Sequence, residues 1–469
     1  MYSIAFSEIS AVGGEISLLA VAALLLLFRP KKPVAVLLTL LGICAALLLT
    51  LAPWKNTLDV FSGTYHSGKL EAYLKDIALI AGAISLFLLK DDKKIKLHFS
   101  EIVSLLIFML CGAMIIVSAR HLILTWLAFE LLSVPAYALV GSIPSSSKGT
   151  EGGLKYAVFG GTASATMLYG FSLLYGAVGS LSYSNIQFAF SNSEIVSLSS
   201  PLIIISLVMI IVGIMFKLSA APFHYWVPDA LEAASPSIAG FISVVPKIAG
   251  FGLLIILNSI FYGSAVWLSL IYAVSILSMT FGNLAAIHQN NLQRLMAYST
   301  IAHAGYMLAA ASLGTQYGSF AILYYLTVYT FMNLGAFYII GLSSEHSRID
   351  ELKGLSARTP FLSFCMAVIL FSLTGLPPFG GLTGKLFIIS AALMKEQHLL
   401  VGVLIINSVI SLYYYARILK AMYFEKGEGE KIDISPISQT VIAGITAMLL
   451  ILGIMWQAIG KIAEIAAGI

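Results

Sequence analysis

Four lysines and one glutamate stand where the rest of this sequence places apolar and small residues. Of the 26 lysines and arginines in 469 residues, Lys155, Lys217, Lys247 and Lys385 fall inside hydrophobic spans, and the others read as loop or span-end residues. Among the 22 acids, Glu130 alone reads as mid-span. It lies about 14 Å into the fifth span at a helical rise of about 1.5 Å per residue. Lys247 lies about 16 Å into the eighth span counted from Pro236, too deep to snorkel, whereas Lys155 near the start of the sixth span is within snorkelling reach. An ionised side chain at the centre of a spanning helix costs about 2.5–3.5 kcal/mol, so five represent on the order of 12–17 kcal/mol of unfavourable insertion. Charges retained at that cost point to ion movement. Burial disfavours the charged form of an amine and a nearby carboxylate restores it, so moving the carboxylate switches the amine between holding and releasing a proton. Glu130 is the expected partner and Lys217 its favoured mate; the alternative, a static structural pair, stays open at this point.

Two of the lysines flank helix breaks. The run FKLSAAPFHYWVPD, Phe216 to Asp229, has Pro222 shortly after Lys217, and LTGLPPFGGLTGKLF, Leu373 to Phe387, has Pro377, Pro378, Gly380 and Gly381 before Lys385. Proline lacks a backbone donor and clashes with the preceding turn, so both helices are expected to be interrupted. Irregular backbone at membrane depth is tolerated only where protein or a wet cavity satisfies it, and each break therefore predicts a hydrated pocket. The paired runs SAAPF and GLPPF resemble the broken helices of transporters built from internal repeats. His224 at the first break and His303 in YSTIAHAGYM are candidate relays, with a hydrogen-bonded core histidine the alternative for each. Tyr298, Ser299 and Thr300 read as packing residues. GGLTGKL, Gly380 to Leu386, lacks the spacing and hydroxyl of a phosphate-binding loop, and GGLKYAVFGGTASA, Gly152 to Ala165, reads as close helix packing.

The elements that must hold these groups are helices in a bilayer. The chain is 59% apolar and 10% charged, with a mean hydropathy of +0.95. That composition excludes a soluble enzyme. Apolar runs of about 20 residues recur from Ile16 to Ile459, giving about fourteen spans and an all-α polytopic membrane protein. The polar insertions Pro53 to Tyr73, Leu181 to Ser200, Glu345 to Thr359 and Glu425 to Ser435 lack the apolar content for a core and read as loops. Cys44, Cys111 and Cys365 occur singly, which implies no disulfide, iron–sulfur cluster or haem, and no metal ligand set stands out. A net charge of +4 spread over loops suggests no nucleic-acid partner. The first span is followed by Arg29, Lys31 and Lys32, as in a retained span rather than a cleaved signal. Odd-numbered loops hold most loop cations, among them Lys90, Lys93, Lys94, Lys96, Lys420 and Lys431. Even-numbered loops hold fewer, including Lys55, Lys69, Lys75 and Arg120. The expected orientation has the odd loops in the cytoplasm and both chain ends outside.

The stretch FKLSAAPFHYWVPDALEAASPSIAGFISVVPKIAG, Phe216 to Gly250, together with LQRLMAYSTIAHAGYM, Leu292 to Met307, closely resembles the antiporter-like membrane subunits of the proton-pumping NADH:quinone oxidoreductase, bacterial complex I. The likeness covers spans four to thirteen. It implies two inverted five-helix repeats, residues 101–262 and 263–425, with broken helices seven and twelve, after a three-helix segment at 1–100 and before a last helix at 426–469. It also implies roles: Glu130 and Lys217 as a modulating ion pair, Lys247 as central proton carrier, Lys385 as the residue exchanging protons with the outer side, and Lys155 as an additional lysine on helix six. The chain would carry no cofactor, with quinone, FMN and iron–sulfur clusters in other subunits. Its partners would be the lipid of the bacterial inner membrane and further membrane subunits, another antiporter-like one included. One branch of the family carries a long C-terminal lateral helix, for which the last span leaves no room, and another has a glutamate where this chain has Lys385; neither matches. EAASPS, Glu232 to Ser237, departs from the glycine and threonines usual there. The expected function is proton translocation driven by quinone reduction elsewhere in a complex. A subunit of a cation/proton antiporter or of a membrane-bound hydrogenase, and a scaffold with inert charges, remain as alternatives.

Overall fold

The computed structural model describes the chain apart from residues 1–7, 10, 93, 94, 96, 97, 143–146, 193–196, 198, 199, 263, 428 and 429. Lys93, Lys94 and Lys96, counted above among the loop cations, lie outside the described residues. The chain forms α1 (Gly13–Phe28), α2 (Lys32–Leu49), α3 (Leu51–Lys55), α4 (Lys69–Asp91), α5 (Phe99–Ser118), α6 (Leu122–Val140), α7 (Ser147–Val178), α8 (Tyr183–Ser191), α9 (Pro201–Lys217) and α10 (Trp226–Ala233). It continues through α11 (Pro236–Ile260), α12 (Ala265–Ile287), α13 (Leu292–Ala311), α14 (Gln316–Ser343), α15 (Leu355–Arg358), α16 (Pro360–Thr374), α17 (Gly380–Met394), α18 (His398–Phe424), α19 (Pro436–Ile454) and α20 (Trp456–Ala467). Among the described residues ten helices are long and apolar enough to cross a membrane, and α1, α9, α16 and α17 are shorter apolar helices.

In water a helix hydrophobic all round is a core helix, but in lipid apolarity does not decide which helices are central. Here α11 and α14 are each 94% buried, against 33% for α7, α18 and α19. The two hidden helices carry Lys247, Tyr329 and Asn333, so polar groups that lipid cannot solvate are kept within protein.

Both expected breaks are present. Helix α9 stops at Lys217 and α10 begins at Trp226, while α16 stops at Thr374 and α17 begins at Gly380. The Ala221–Pro222 and Pro377–Pro378 peptides are cis. Backbone freed by each break finds partners inside the protein, as membrane depth demands. The Ala221 N–H donates to Ser278 Oγ at 2.9 Å, and the Gly381 N–H to Ser372 Oγ at 3.1 Å. Gly375 has φ 91°, and a Cβ on Gly381 would collide with the Ser372 carbonyl oxygen. The second break thus requires residues without side chains.

Three sequence expectations are corrected. The Pro53 to Tyr73 insertion holds α3, a hairpin pairing Leu58–Val60 with Tyr65–Ser67, and the first turn of α4. Leu181 to Ser200 holds α8. Residues 426–469 form two helices rather than one: α19 ends at Ile454, and α20 packs its small face, Gly460, Ala463 and Ala466, toward the protein against α14 and α4.

Candidate functional site

Lys247 is the centre of the site. It sits on α11, is 1% exposed, and its Nζ has no hydrogen-bond partner among the described residues. The nearest aromatic face is Tyr329 of α14, whose centroid is 6.0 Å from Nζ. A polar cluster surrounds that tyrosine. Its hydroxyl donates to the Ser243 carbonyl and lies against Thr300 Oγ1, both at 3.1 Å, and Asn333 Nδ2 donates to it at 3.1 Å. An ammonium beside neutral hydroxyls and a π face is held without a counter-charge, which leaves it free to exchange a proton with water or a neighbouring side chain.

From Lys247 the polar groups continue toward the second break. His303, buried on α13, lies within electrostatic reach of both Lys247 and Lys385. Its Nδ1 is 2.8 Å from the Tyr325 hydroxyl and its Nε2 3.3 Å from that of Tyr415. Ser299 bonds the same Tyr415 at 2.6 Å. Ser299 and Thr300, read from sequence as packing residues, therefore belong to this network. Lys385 Nζ donates to the carbonyls of Leu373 at 3.2 Å and Thr374 at 2.8 Å. These are carbonyls that α16 leaves free where it breaks, and the negative end of a helix suits a cation. Lys385 also lies 4.8 Å from the ring centre of Tyr306. A cavity of ≈ 250 Å³ opens beside it, lined by Thr374, Gly375, Leu404 and Ser408 among others.

On the other side, Lys217 closes α9 next to α11: the Cβ position of Gly250, one turn from Lys247, is 3.9 Å from Lys217 Cγ. Its Nζ donates to Ser133 Oγ at 2.6 Å and lies 5.5 Å from the Phe129 centroid. The expected direct ion pair with Glu130 is not formed. Glu130 sits one turn back on α6, half-buried, and accepts a hydrogen bond from Ser164, which is itself bonded by Trp126. The two side chains have separate partners, Ser164 for Glu130 and Ser133 for Lys217. Ser133 is the partner of Lys217 that the sequence reading missed, because a lone serine in a span carries no signal of its own.

Lys155 takes the snorkelling outcome that its place near the span start allowed. It is 40% exposed, and its Nζ pairs with Glu151 at 2.7 Å and Asp229 at 2.8 Å. Asp229 and Glu232 in turn hold Arg294, at 2.7 and 3.0 Å. Lys155 has snorkelled to a charged mouth and stands apart from the buried axis. His224 is buried between the first break and α12, its ring 4.4 Å from that of Phe281. Among the described residues it bonds none of the axis lysines. Pro222, Pro377 and Pro378 lie in the breaks as expected.

Residues 119–411 match the family described as NADH:quinone oxidoreductase/Mrp antiporter, TM. The chain belongs to this family. Among its antiporter-family relatives, NADH-quinone oxidoreductase subunit N of Thiobacillus denitrificans is 36% identical over 450 residues, covering 93% of this chain and 91% of that one. Subunit N 1 of Thermodesulfovibrio yellowstonii is 39% identical, covering 78% and 80%. A chain of respiratory complex I from Thermus thermophilus with bound aureothin superposes with a TM-score of 0.85 at 28% identity, covering 97% and 99%.

Outside the matched region this antiporter-family chain carries a buried charge cluster that the sequence reading overlooked. Glu15 on α1 and Lys75 on α4 pair at 2.8 Å, with side chains 5% and 4% exposed. The Tyr65 hydroxyl donates to Glu15 and accepts from Lys75, both at 2.6 Å. Glu130 is thus not the single acid withdrawn from water, and Lys75 is not a loop cation. Both lie near span ends in the sequence, and only the hairpin folding over them shows that they are buried.

Proposed function

We propose that this chain moves protons across the membrane along Lys217, Lys247, His303 and Lys385, modulated by Glu130, as a subunit of a respiratory NADH:quinone oxidoreductase. The observation that carries the reading is Lys247, a buried ammonium with no hydrogen-bond partner among the described residues, between hydroxyl-rich neighbours. A structural cation would be paired. Moving a proton against a membrane potential costs about 2.3 kcal/mol per 100 mV. This chain holds no group among its described residues that would supply that energy, so quinone reduction elsewhere in the complex drives it. The quinone, FMN and iron–sulfur clusters belong to other subunits. Residues 101–262 and 263–425 serve as two inverted five-helix units, each with one broken helix and one essential lysine near it. The lysine-rich face lies in the cytoplasm of a bacterial cell, and both ends lie on the outer side of its inner membrane. Further membrane subunits, another antiporter-like one included, flank the chain, and Glu130 and Lys155 at its sides are placed to meet them.

The test is proton transport by vesicles holding the whole purified complex during quinone reduction. Lys247→Met and Lys385→Met are expected to lower proton uptake sharply while subunit content is unchanged; full uptake in both would refute the axis. The family description also covers an antiporter, and transport that needs sodium and proceeds without oxidoreductase activity would favour that function instead.

A further inference from the structure

Lys247 needs a path to water, and a second set of polar residues leads toward it, beginning at Asp91 and Asp92, which lie outside the family match. At the lysine-rich end of α4, Asp91 Oδ2 accepts hydrogen bonds from Tyr338 of α14 at 2.9 Å and from Ser438 of α19. Asp92 Oδ2 accepts one from Ser237 at the start of α11 at 2.5 Å. Both acids are half-buried and line a small cavity with Leu88, Tyr338, Gly341 and Leu342. From this mouth, two facing helices carry polar residues inward. Ser235 caps α11, along which run Ser237, Ser243 and Lys247; along α14 run Tyr338, Asn333 and Tyr329. The two rows join at depth, where Asn333 Nδ2 donates to Ser243 Oγ at 2.5 Å and to the Tyr329 hydroxyl at 3.1 Å.

Two fully buried polar atoms in this passage, Asn333 Oδ1 and Lys247 Nζ, have no partner among the described residues. Buried polar groups are normally satisfied by protein or by ordered water, so both positions call for water. Between mouth and cluster lie about six residues of α11, a rise of about 9 Å. That interval is closed by apolar packing: the Cβ position of Gly240 is 3.0 Å from Phe337 Cβ and 3.5 Å from Leu334 Cδ2.

We propose that Asp91 and Asp92 collect protons from the cytoplasm for Lys247, delivering them along α11 and α14 past a dry gate formed by Gly240, Leu334 and Phe337. A proton from cytoplasmic water binds the Asp91 carboxylate. The resulting carboxyl passes a proton to water in the passage, and the last water protonates the neutral Lys247 amine. Each donor is restored by the step behind it. The gate admits water only when α11 and α14 part, which keeps the two sides of the membrane from being joined through Lys247. This inference rests on the proton-moving reading of the axis and adds the entry to it.

The test uses the whole complex reconstituted in vesicles. Asp91→Asn with Asp92→Asn is expected to lower proton uptake to the level of Lys247→Met, and Asp91→Glu to restore it. Should the double variant lose the subunit, Leu342→Cys keeps both acids. Labelling that cysteine with a bulky maleimide from the cytoplasmic side is expected to give the same loss, against labelled wild type as control. Full uptake in the acid variant or in the labelled complex overturns the entry, while a loss in Lys247→Met beside it leaves the axis standing. Full uptake in Lys247→Met would instead overturn the axis itself.

Discussion

The molecule buries lysines in two ways. Lys75 is saturated: Glu15 neutralises it, Tyr65 bonds both members of the pair, and nothing in the cluster is left to exchange. Lys247, equally buried, has no hydrogen-bond partner among the described residues, where Lys217 and Lys385 hold a serine hydroxyl and backbone carbonyls. Removing one member of a buried pair orphans the other, whereas removing an unpaired cation orphans nothing. Burial alone therefore does not separate the two kinds of lysine; the lysines of the proposed axis are set apart by burial without a paired carboxylate.

The largest expected effects are opposite in the two regions. Lys75→Ala leaves Glu15 unpaired and is expected to cost about 3–5 kcal/mol of stability. The subunit would be lost from the detergent-purified complex on mild heating. Removing both charges, Glu15→Leu with Lys75→Met, should recover most of that retention. Lys247→Met should show the reverse, full retention with proton uptake lost. If Lys75→Ala proved as stable as wild type, the distinction between paired and unpaired lysines would fail.

A smaller effect separates contact from field at Lys217. Glu130→Gln removes a charge that does not touch Lys217 and is expected, on the proposed function, to lower proton uptake strongly. Ser133→Ala removes one hydrogen bond, worth about 1.5–3 kcal/mol while the Lys217 amine is charged, and is expected to lower uptake less than Glu130→Gln does. The reverse order would make Ser133 the true partner and reduce Glu130 to a bystander.

The smallest effect is expected at the exposed pair Asp350–Lys353, 3.1 Å apart. The Lys353 ammonium holds the Asp350 carboxyl below the usual carboxylate range. Any stability this gives is present above the ordinary carboxylate pKa and fades as pH falls through the lowered value. Both groups face water, where screening removes most of the interaction. Asp350→Asn should leave subunit retention unchanged at neutral pH and at pH 5, and a clear loss would show that surface pairs in this chain matter more than exposure implies.

Hydropathy, proline placement and the rarity of charge in apolar runs made the helices, both breaks and three buried lysines readable from the chain, because each is a local cost that the sequence must display. Lys217, Lys247 and Lys385 are conspicuous since nothing nearby in sequence excuses them. What the residues alone did not determine were the partners. Ser133, Tyr325, Tyr415 and Asn333 are ordinary span residues until helices distant in sequence face each other. Glu15 and Lys75, near span ends, became buried only when a hairpin folded over them. Lys155, near a span start, was within snorkelling reach, but its partner Asp229 came from a distant part of the chain. The chain fixes where charge enters the bilayer, and packing between helices decides whether that charge is neutralised or left free, since counter-charges and hydroxyls arrive from elements far apart in sequence.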